Sequence, residues 1–201
     1  MKDKFVITIG REYGSGGREI GAKLAHIFGI GYYDKKIISE ASRRSGLSGE
    51  ALERNDERVY GSWFHALSLG FSFTKDFTPE SFFKIQSDAI LDIASRESCV
   101  IVGRCADYVL REHPGCVNIF ISAPKADRTR RIAHRKGISV KEAAEIMHKV
   151  DKSRSSYYSF YTDKEWGRAD SYNLCIDSSV LGLEESAEFI AEFVRKALAE
   201  E

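Results

Sequence analysis

The stretch VITIGREYGSGGREIGAKL, residues 6–24, joins an apolar run to a helical pattern through a turn that contains three glycines. Glycine lets the backbone approach an anion closely, and the N-terminus of the following helix offers free N–H groups and the positive end of its dipole. A phosphate loop normally continues as Gly-Lys-Ser/Thr, whereas the first lysine after these glycines is Lys23, well inside the helix. The stretch therefore predicts a phosphate cradle without its lysine. The predicted cradle consists of Gly14, Ser15, Gly16 and Gly17.

The missing lysine leaves two alignments open. Without a gap, Gly17 occupies the lysine position and supplies no side chain. With a loop one residue longer, Arg18 takes the lysine position and Glu19 the Ser/Thr position, where a carboxylate would reach Mg²⁺ through water or cap nearby N–H groups. An arginine offers a planar, bidentate donor to phosphate oxygens. We predict that Arg18, helped by Arg11 at the entrance of the loop, replaces the lysine.

The bulk composition is that of a globular protein and excludes several classes. The chain has 201 residues, 43% of them hydrophobic, and 30 basic residues balance 30 acidic ones. A neutral chain is a poor general binder of long nucleic acids. No run approaches the ~20 apolar residues of a membrane span, so a cytoplasmic protein is expected. The four cysteines and five histidines lack metal-ligand spacing, which predicts buried, reduced thiols and no structural metal.

Five short apolar runs recur along the chain. They are nearly continuous rather than alternating, which is typical of strands covered on both faces. Helical patterns separate most of them, so the sequence predicts an α/β fold with a parallel sheet between layers of helices. Residues 46–77 and 125–168 do not fit this alternation and are interpreted as excursions from the core. The runs are FVITIG, GIGYYD, CVIVGR, VNIFISA and YNLCIDS.

The second excursion begins with the basic stretch KADRTRRIAHRKG, residues 125–137. On a helix, the spacings of 3 and 4 place Arg128, Arg131 and Arg135 on one face. This pattern has three interpretations: a solvated face, a nucleic-acid contact without stacking aromatics, or a lid that folds arginines over a polyphosphate. We favour the lid, because phosphoryl transfer depends mainly on positioning and charge neutralisation.

Two further motifs carry charged side chains. Arg104 and Asp107 follow the run CVIV, at the strand ends where open parallel sheets bind ligands. Asp151 and Arg154, in DKSR, share a helix face at positions i and i+3.

In this order the motifs resemble the cytidylate-kinase-like family of the P-loop nucleoside-monophosphate kinases. The resemblance implies a core of five parallel strands, a closing lid, an acceptor-binding insert, and ATP with Mg²⁺ as phosphoryl donor. It also implies that Arg104 contacts the acceptor phosphate and that Asp34 lies near the acceptor. Lys35 is a candidate to compensate for an arginine that cytidylate kinases carry where this chain has Glu40. The matching stretches are ITIGREYGSGGREIGAKLA, YYDKKII, VGRCADY, RTRRIAHRKGIS, DKSR and YNLCIDSSVLGLEE.

The expected function is transfer of the γ-phosphoryl group of ATP to a small phosphorylated acceptor, with CMP or dCMP as the expected acceptor. Two alternatives stay open: a non-catalytic nucleotide-binding module with a degenerate loop, and a kinase for another small acceptor. The predicted catalytic residues are Arg18, Arg131 and Arg154, with Arg128, Arg135 and Asp151 as further lid residues. The single domain 1–201 is divided into a core of 1–45, 99–124 and 169–201, an acceptor-binding insert of 46–98 and a lid of 125–168.

Overall fold

A computed structural model describes residues 4–34 and 79–199, which form a five-stranded parallel sheet in the order β2-β3-β1-β4-β5. The predicted α/β fold and all five predicted strands are confirmed. Lys35 and residues 46–77 lie outside the described residues. The strands are β1 (Val6–Arg11), β2 (Gly31–Tyr33), β3 (Cys99–Val102), β4 (Cys116–Ser122) and β5 (Leu174–Asp177). The helices are α1 (Gly17–Phe28), α2 (Pro79–Arg96), α3 (Ala106–Val109), α4 (Lys125–Lys136), α5 (Val140–Thr162) and α6 (Ser178–Ala197), with a 3₁₀ turn at Ala169–Ser171.

Hydrophobic clusters cover the sheet on both faces, which explains why its strands are continuously apolar. Along β1, Ile7 and Ile9 belong to the cluster beneath α1 and α6, and Val6 belongs to the cluster beneath α2. These side chains are fully buried. Burial of one such side chain stabilises the fold by about 1.5–3 kcal/mol, so the paired clusters fix the strand ends that carry the polar residues.

Local sequence signals determine several helix boundaries. Helix α1 ends at Gly29, which has a left-handed φ of 64°. Helix α5 begins with a complete capping box between Ser139 and Glu142. Helix α6 contains a break at Gly182, where φ is 76°.

Helices α4 and α5 form a hairpin in the connection between β4 and β5, which is called the α4–α5 hairpin. Ile132, Ala133, Ala143 and Met147 are buried between the two helices. The far end of the 23-residue helix α5 packs against α2, where the Tyr161 ring stacks on Phe83 at 4.1 Å. Helix α5 thus connects the basic stretch of α4 to the residues that pack against α2.

The cysteines within the described residues are free thiols. Cys99 and Cys105 are buried, as expected, whereas Cys175 is exposed, so the expectation of burial was wrong there. Burial raises the pKa of the Cys99 and Cys116 thiols to about 12, which keeps them protonated. No helix in the described part of the chain has the length and apolar character needed to cross a membrane.

Candidate active site

The glycine loop, residues 12–16, connects β1 to α1 in a conformation that only glycine adopts easily. Gly14 and Gly16 both have φ 85°, and Gly16 caps α1 without a side-chain hydrogen bond. Ser15 is buried, and its carbonyl accepts a hydrogen bond of 2.6 Å from Ser178 Oγ at the start of α6. This buried contact with the start of α6 therefore holds the loop in place.

The loop presents backbone donors that have no acceptor among the described residues. Among residues 4–34 and 79–199, no acceptor is found for the backbone N–H groups of Gly14, Gly16, Gly17 and Arg18. Unpaired N–H groups at a helix N-terminus are a ready anion site, because the dipole adds positive potential there. This arrangement suits a phosphate group.

The basic face of α4 lies on the glycine loop rather than in solvent. Arg131 Nη1 donates to the Gly14 carbonyl at 2.5 Å, and the Arg135 guanidinium lies 5.6 Å from the centre of the Tyr13 ring. Arg128 is buried, and its Nη1 donates to the Tyr13 carbonyl at 3.2 Å. The three arginines thus share the face of α4 that contacts the loop, and the solvated-face interpretation is excluded for Arg128.

Arg128 and Asp151 connect the hairpin to the loop. Arg128 forms ion pairs with Asp151 at 2.5 Å and with Glu12 at 3.3 Å. Asp151 Oδ1 also accepts from the Tyr13 backbone N–H at 2.7 Å, and Glu12 accepts from the Ala123 N–H at 3.1 Å. These contacts engage Arg128 and Asp151 in holding α4, α5 and the loop together.

Arg154 reaches the loop from α5. Its Nη1 donates to the Arg11 carbonyl at 3.0 Å, and its guanidinium lies 5.4 Å from the centre of the Tyr13 ring. Arg131 and Arg154 therefore meet the loop from two helices, on either side of Tyr13.

A pocket opens beside the loop, at the carboxyl ends of β1 and β3. Arg104 is buried in it with φ 64°, and Cys105 follows with φ 54°. A left-handed conformation costs a non-glycine residue energy, and such strain clusters at functional sites. The pocket is lined by Gly10, Arg11, Gly103, Arg104, Cys105, Asp107, Arg154, Tyr157, Tyr158, Trp166 and Tyr172.

Asp107 lies in this pocket with one oxygen, Oδ2, accepting from Tyr158 Oη at 2.7 Å. Burial raises the pKa of the Asp107 carboxyl, and the hydrogen bond from Tyr158 opposes that rise without cancelling it. A partly buried carboxyl with a raised pKa is typical of functional sites.

The raised pKa predicts a pH-dependent cost of folding at Asp107. The folded state favours the protonated form of Asp107. The stability that this protonation adds to the fold is complete below the ordinary aspartate pKa and is lost as the pH rises through the raised pKa. We therefore expect the stability of Asp107→Asn, relative to that of the wild type, to increase as the pH rises from 4 to 7.5. A tenfold difference in proton affinity between the folded and unfolded chains corresponds to about 1.4 kcal/mol. Urea unfolding of both proteins at several pH values measures this increase, and a constant difference across the range would contradict it.

The structure pairs two residues that the sequence assigned to different ligands. The Arg18 guanidinium forms an ion pair with Asp34, which is buried at the end of β2. The assignment of Arg18 to the ATP phosphates therefore stays a prediction, and its observed partner is the residue that the sequence assigned to the acceptor. Glu19 is exposed in the first turn of α1.

Mg²⁺ fits this site as a partner of ATP rather than as a metal that the protein holds alone. Within residues 4–34 and 79–199, no group of three or more His, Cys, Asp or Glu side chains could hold a metal ion. The loop carries no hydroxyl at the position after Gly17, so Glu19 is the nearest carboxylate to the loop's end in sequence. Mg²⁺ commonly uses one or two carboxylates, substrate phosphates and water, which this donor set allows.

Several residues of the site were missed from the sequence. Tyr13 bridges the loop to both hairpin helices through its backbone and its ring. Trp166 and Tyr172 contact Phe120 and line the pocket. Aromatic residues at and just after the end of the charged stretch were the available sequence signal for this side of the pocket. Their partner, Phe120, lies on β4 and is far from them in sequence.

Comparison with known proteins identifies the family to which the chain belongs. A model of the cytidylate kinase-like family matches residues 6–180. The chain belongs to this family. Cytidylate kinase of Pyrococcus horikoshii is 28% identical over 162 residues, which are 80% of this chain and 73% of that protein. Cytidylate kinase of Aeropyrum pernix is 26% identical over 185 residues, which are 91% of this chain and 95% of that protein.

Solved structures agree with the cytidylate kinase-like fold. An uncharacterized protein from Eubacterium ventriosum has a TM-score of 0.73 and 28% identity, covering 96% of this chain and 99% of that one. Shikimate kinase from Acinetobacter baumannii has a TM-score of 0.55 at 13% identity, covering 98% of this chain and 97% of that one. The second likeness shows the fold alone.

Proposed function

We propose that the protein transfers the γ-phosphoryl group of ATP to a nucleoside monophosphate, with CMP or dCMP as acceptor. One observation carries the proposal: the N–H groups of the glycine loop that have no acceptor within residues 4–34 and 79–199 lie beside two arginines, Arg131 and Arg154, that come from separate helices. A cradle for fixed phosphates next to cations on a helical hairpin is what phosphoryl transfer requires.

In this proposal the glycine loop holds the β-phosphate of ATP, and Arg104 holds the acceptor phosphate at the end of β3. An acceptor phosphate oxygen attacks the γ-phosphorus, the bond to the β–γ bridging oxygen breaks, and ADP leaves with that electron pair. Because the acceptor oxygen is already anionic, no general base is needed. Arg131 and Arg154 exchange their loop carbonyls for phosphoryl oxygens during transfer. Mg²⁺, when bound with ATP, neutralises phosphate charge, with Glu19 as a candidate ligand through water.

The choice of acceptor rests on the family and on the archaeal relatives named cytidylate kinase. We infer a single domain, in which residues 46–98 form the acceptor-binding insert and residues 125–168 the lid. Asp34 and Lys35 are assigned to the acceptor side of the site.

The experiment that tests this proposal is a transfer assay with γ-labelled ATP and a panel of acceptors. The panel contains the ribo- and deoxyribonucleoside monophosphates, the matching nucleosides and several small hydroxy acids. We expect the label in CDP or dCDP. Label in none of the products, with ATP still bound, would support the non-catalytic alternative and overturn the proposal.

A kinase for a hydroxyl acceptor is the second candidate, and Asp107 is the observation that favours it. A hydroxyl must lose its proton as it attacks, and the partly buried carboxylate of Asp107 in the pocket is placed to accept that proton. Label in a hydroxy acid or a nucleoside, together with loss of transfer in Asp107→Asn, would decide for this candidate.

Nucleotide binding itself should be measurable as stability. Mg-ATP at ~100 times its dissociation constant should stabilise the fold by about 2.7 kcal/mol, because it binds the folded chain alone. Thermal unfolding with and without Mg-ATP checks this value, with Mg²⁺ alone as the control. No shift with ATP, ADP or pyrophosphate would contradict the assignment of the glycine loop.

A further inference from the structure

Arg11 occupies a special position in the phosphate-loop pattern. The pattern Gly-x₄-Gly-Lys has a glycine first and a cation last. When its second glycine is placed on Gly16, which caps α1, the first position is Arg11 and the lysine position is Gly17. The chain therefore has a cation where the pattern has glycine, and glycine where the pattern has its cation.

The geometry explains this exchange. A Cβ atom added to Gly17 would lie 2.6 Å from Arg11 Cβ and 3.0 Å from Arg11 Cγ. The stem of Arg11 thus runs through the space that a side chain at position 17 would enter. Real Cβ atoms do not approach other atoms so closely, so Arg11 and a side chain at position 17 exclude each other as the chain now stands.

A second glycine makes room for the charged end of Arg11. A Cβ atom on Gly103 would lie 1.9 Å from Arg11 Nη1 and 2.8 Å from Arg11 Cζ. Gly103 follows β3, and Gly17 begins α1, so two separate elements leave space for one arginine. The guanidinium consequently lies against the end of β3, in the pocket beside the glycine loop.

Within the part of the chain that the structure describes, no ion pair balances the charge of Arg11. No carboxylate within residues 4–34 and 79–199 lies at ion-pair distance from its guanidinium. Arg104 and Arg154 line the same pocket, as does Asp107, whose Oδ2 accepts from Tyr158. The guanidinium group of Arg11, which lies in this pocket without a carboxylate partner among the described residues, favours an anion beside it.

We propose that Arg11 supplies the cation that the loop lacks at Gly17, and that its guanidinium binds the phosphoryl group that ATP transfers. Arg18 is held by Asp34 on the acceptor side and takes a different role. The identity of the anion as ATP rests on the proposed function. Arg11 donates hydrogen bonds only, and it forms and breaks no covalent bond.

Exchanging the two residues tests this inference. The variants are Arg11→Gly, Gly17→Lys and the double variant, measured for Mg-ATP affinity by calorimetry and for turnover with the acceptor that the panel identifies. Arg11→Gly should weaken ATP binding at least tenfold and lower turnover by about 10²-fold, as for loss of one transition-state donor. Gly17→Lys should also bind poorly, because its side chain collides with Arg11. The double variant, which restores Gly-x₄-Gly-Lys, should bind ATP better than either single variant.

Three further variants serve as comparisons. Arg11→Met keeps the stem between the two glycines and removes only the charge, so it carries the test if the double variant does not fold. Arg18→Met should affect ATP binding less than Arg11→Met. Arg195→Met, on α6 beside Phe28 at the opposite end of α1, should behave as the wild type.

Wild-type ATP affinity and turnover in Arg11→Met would overturn the inference, as would a folded double variant no better than Gly17→Lys. A change in acceptor KM alone would place Arg11 on the acceptor and overturn it too. If the wild type binds ATP but transfers phosphate to no acceptor, the proposed function fails. The ATP affinities of the wild type, the two single variants and the double variant still decide whether the inference about Arg11 holds. If the wild type binds no ATP, both fail.

Discussion

Replacing Arg131 or Arg154 by alanine is expected to lower turnover by about 10³-fold, the effect of an arginine finger. Each guanidinium now donates to a backbone carbonyl, Arg131 to Gly14 O in the glycine loop and Arg154 to Arg11 O at the end of β1. In the proposed mechanism these donors bind the transferring phosphoryl group and stabilise the charge distribution of its transition state more than that of bound ATP. Loss of such a donor lowers kcat and kcat/KM together and leaves ATP affinity nearly unchanged.

Steady-state kinetics with the identified acceptor measure this effect, and calorimetry with Mg-ATP separates it from binding. Arg130→Ala is the matched control, because Arg130 lies next to Arg131 on α4 but is exposed, and its ion-pair partner among the described residues is Asp127, at 3.0 Å. It should keep wild-type turnover. Two single variants with wild-type turnover would show that the basic face only attaches the hairpin to the loop.

Replacing Arg128 by methionine should destabilise the protein by about 3–5 kcal/mol, the effect of breaking a buried ion pair by removing one partner. Arg128 is buried and lies between Asp151 and Glu12, so its loss leaves two carboxylates without their cation. Because α4, α5 and the glycine loop meet at this point, we expect the unfolding midpoint in urea to fall clearly.

Two comparisons separate charge from packing in this prediction. Arg130→Met removes an exposed i, i+3 pair and should cost no more than about 0.5 kcal/mol. The double variant Arg128→Met with Asp151→Asn removes one unpaired charge and keeps an acceptor for the Tyr13 N–H, so it should regain part of the loss. Unchanged stability in Arg128→Met would mean that water solvates the two carboxylates well in its absence.

Short-range patterns in the sequence account for the fold. Each strand is an apolar run, and the central strands β1 and β3 are covered on both faces. The C-terminal end of α1 and the start of α5 follow from Gly29 and from the Ser139–Glu142 capping box. The shared face of the α4 arginines follows from helical periodicity. These features depend on neighbours within a few residues, so a single sequence reveals them.

The partners of the charged residues could not be predicted in the same way. Asp151 bonds the Tyr13 N–H across 138 residues of chain, and the choice between Asp151 and a phosphate as partner of Arg128 depends on how the hairpin packs on the loop. The pairing of Arg18 with Asp34 likewise depends on the side chain lying toward β2. The space for Arg11 between Gly17 and Gly103 is a three-dimensional property, because the two glycines are far apart in sequence.

The most direct measurement is ³¹P NMR of the phosphoryl exchange, started from each side with Mg²⁺ present. One sample begins with ATP and CMP and the other with CDP and ADP, each with catalytic amounts of the protein. Both the bond broken and the bond formed are phosphoric anhydride bonds, so transfer between nucleotides is reversible. Our account predicts that both samples reach the same mixture of all four nucleotides. Spectra that stay at their starting composition from both sides, with CMP and with dCMP, would contradict it.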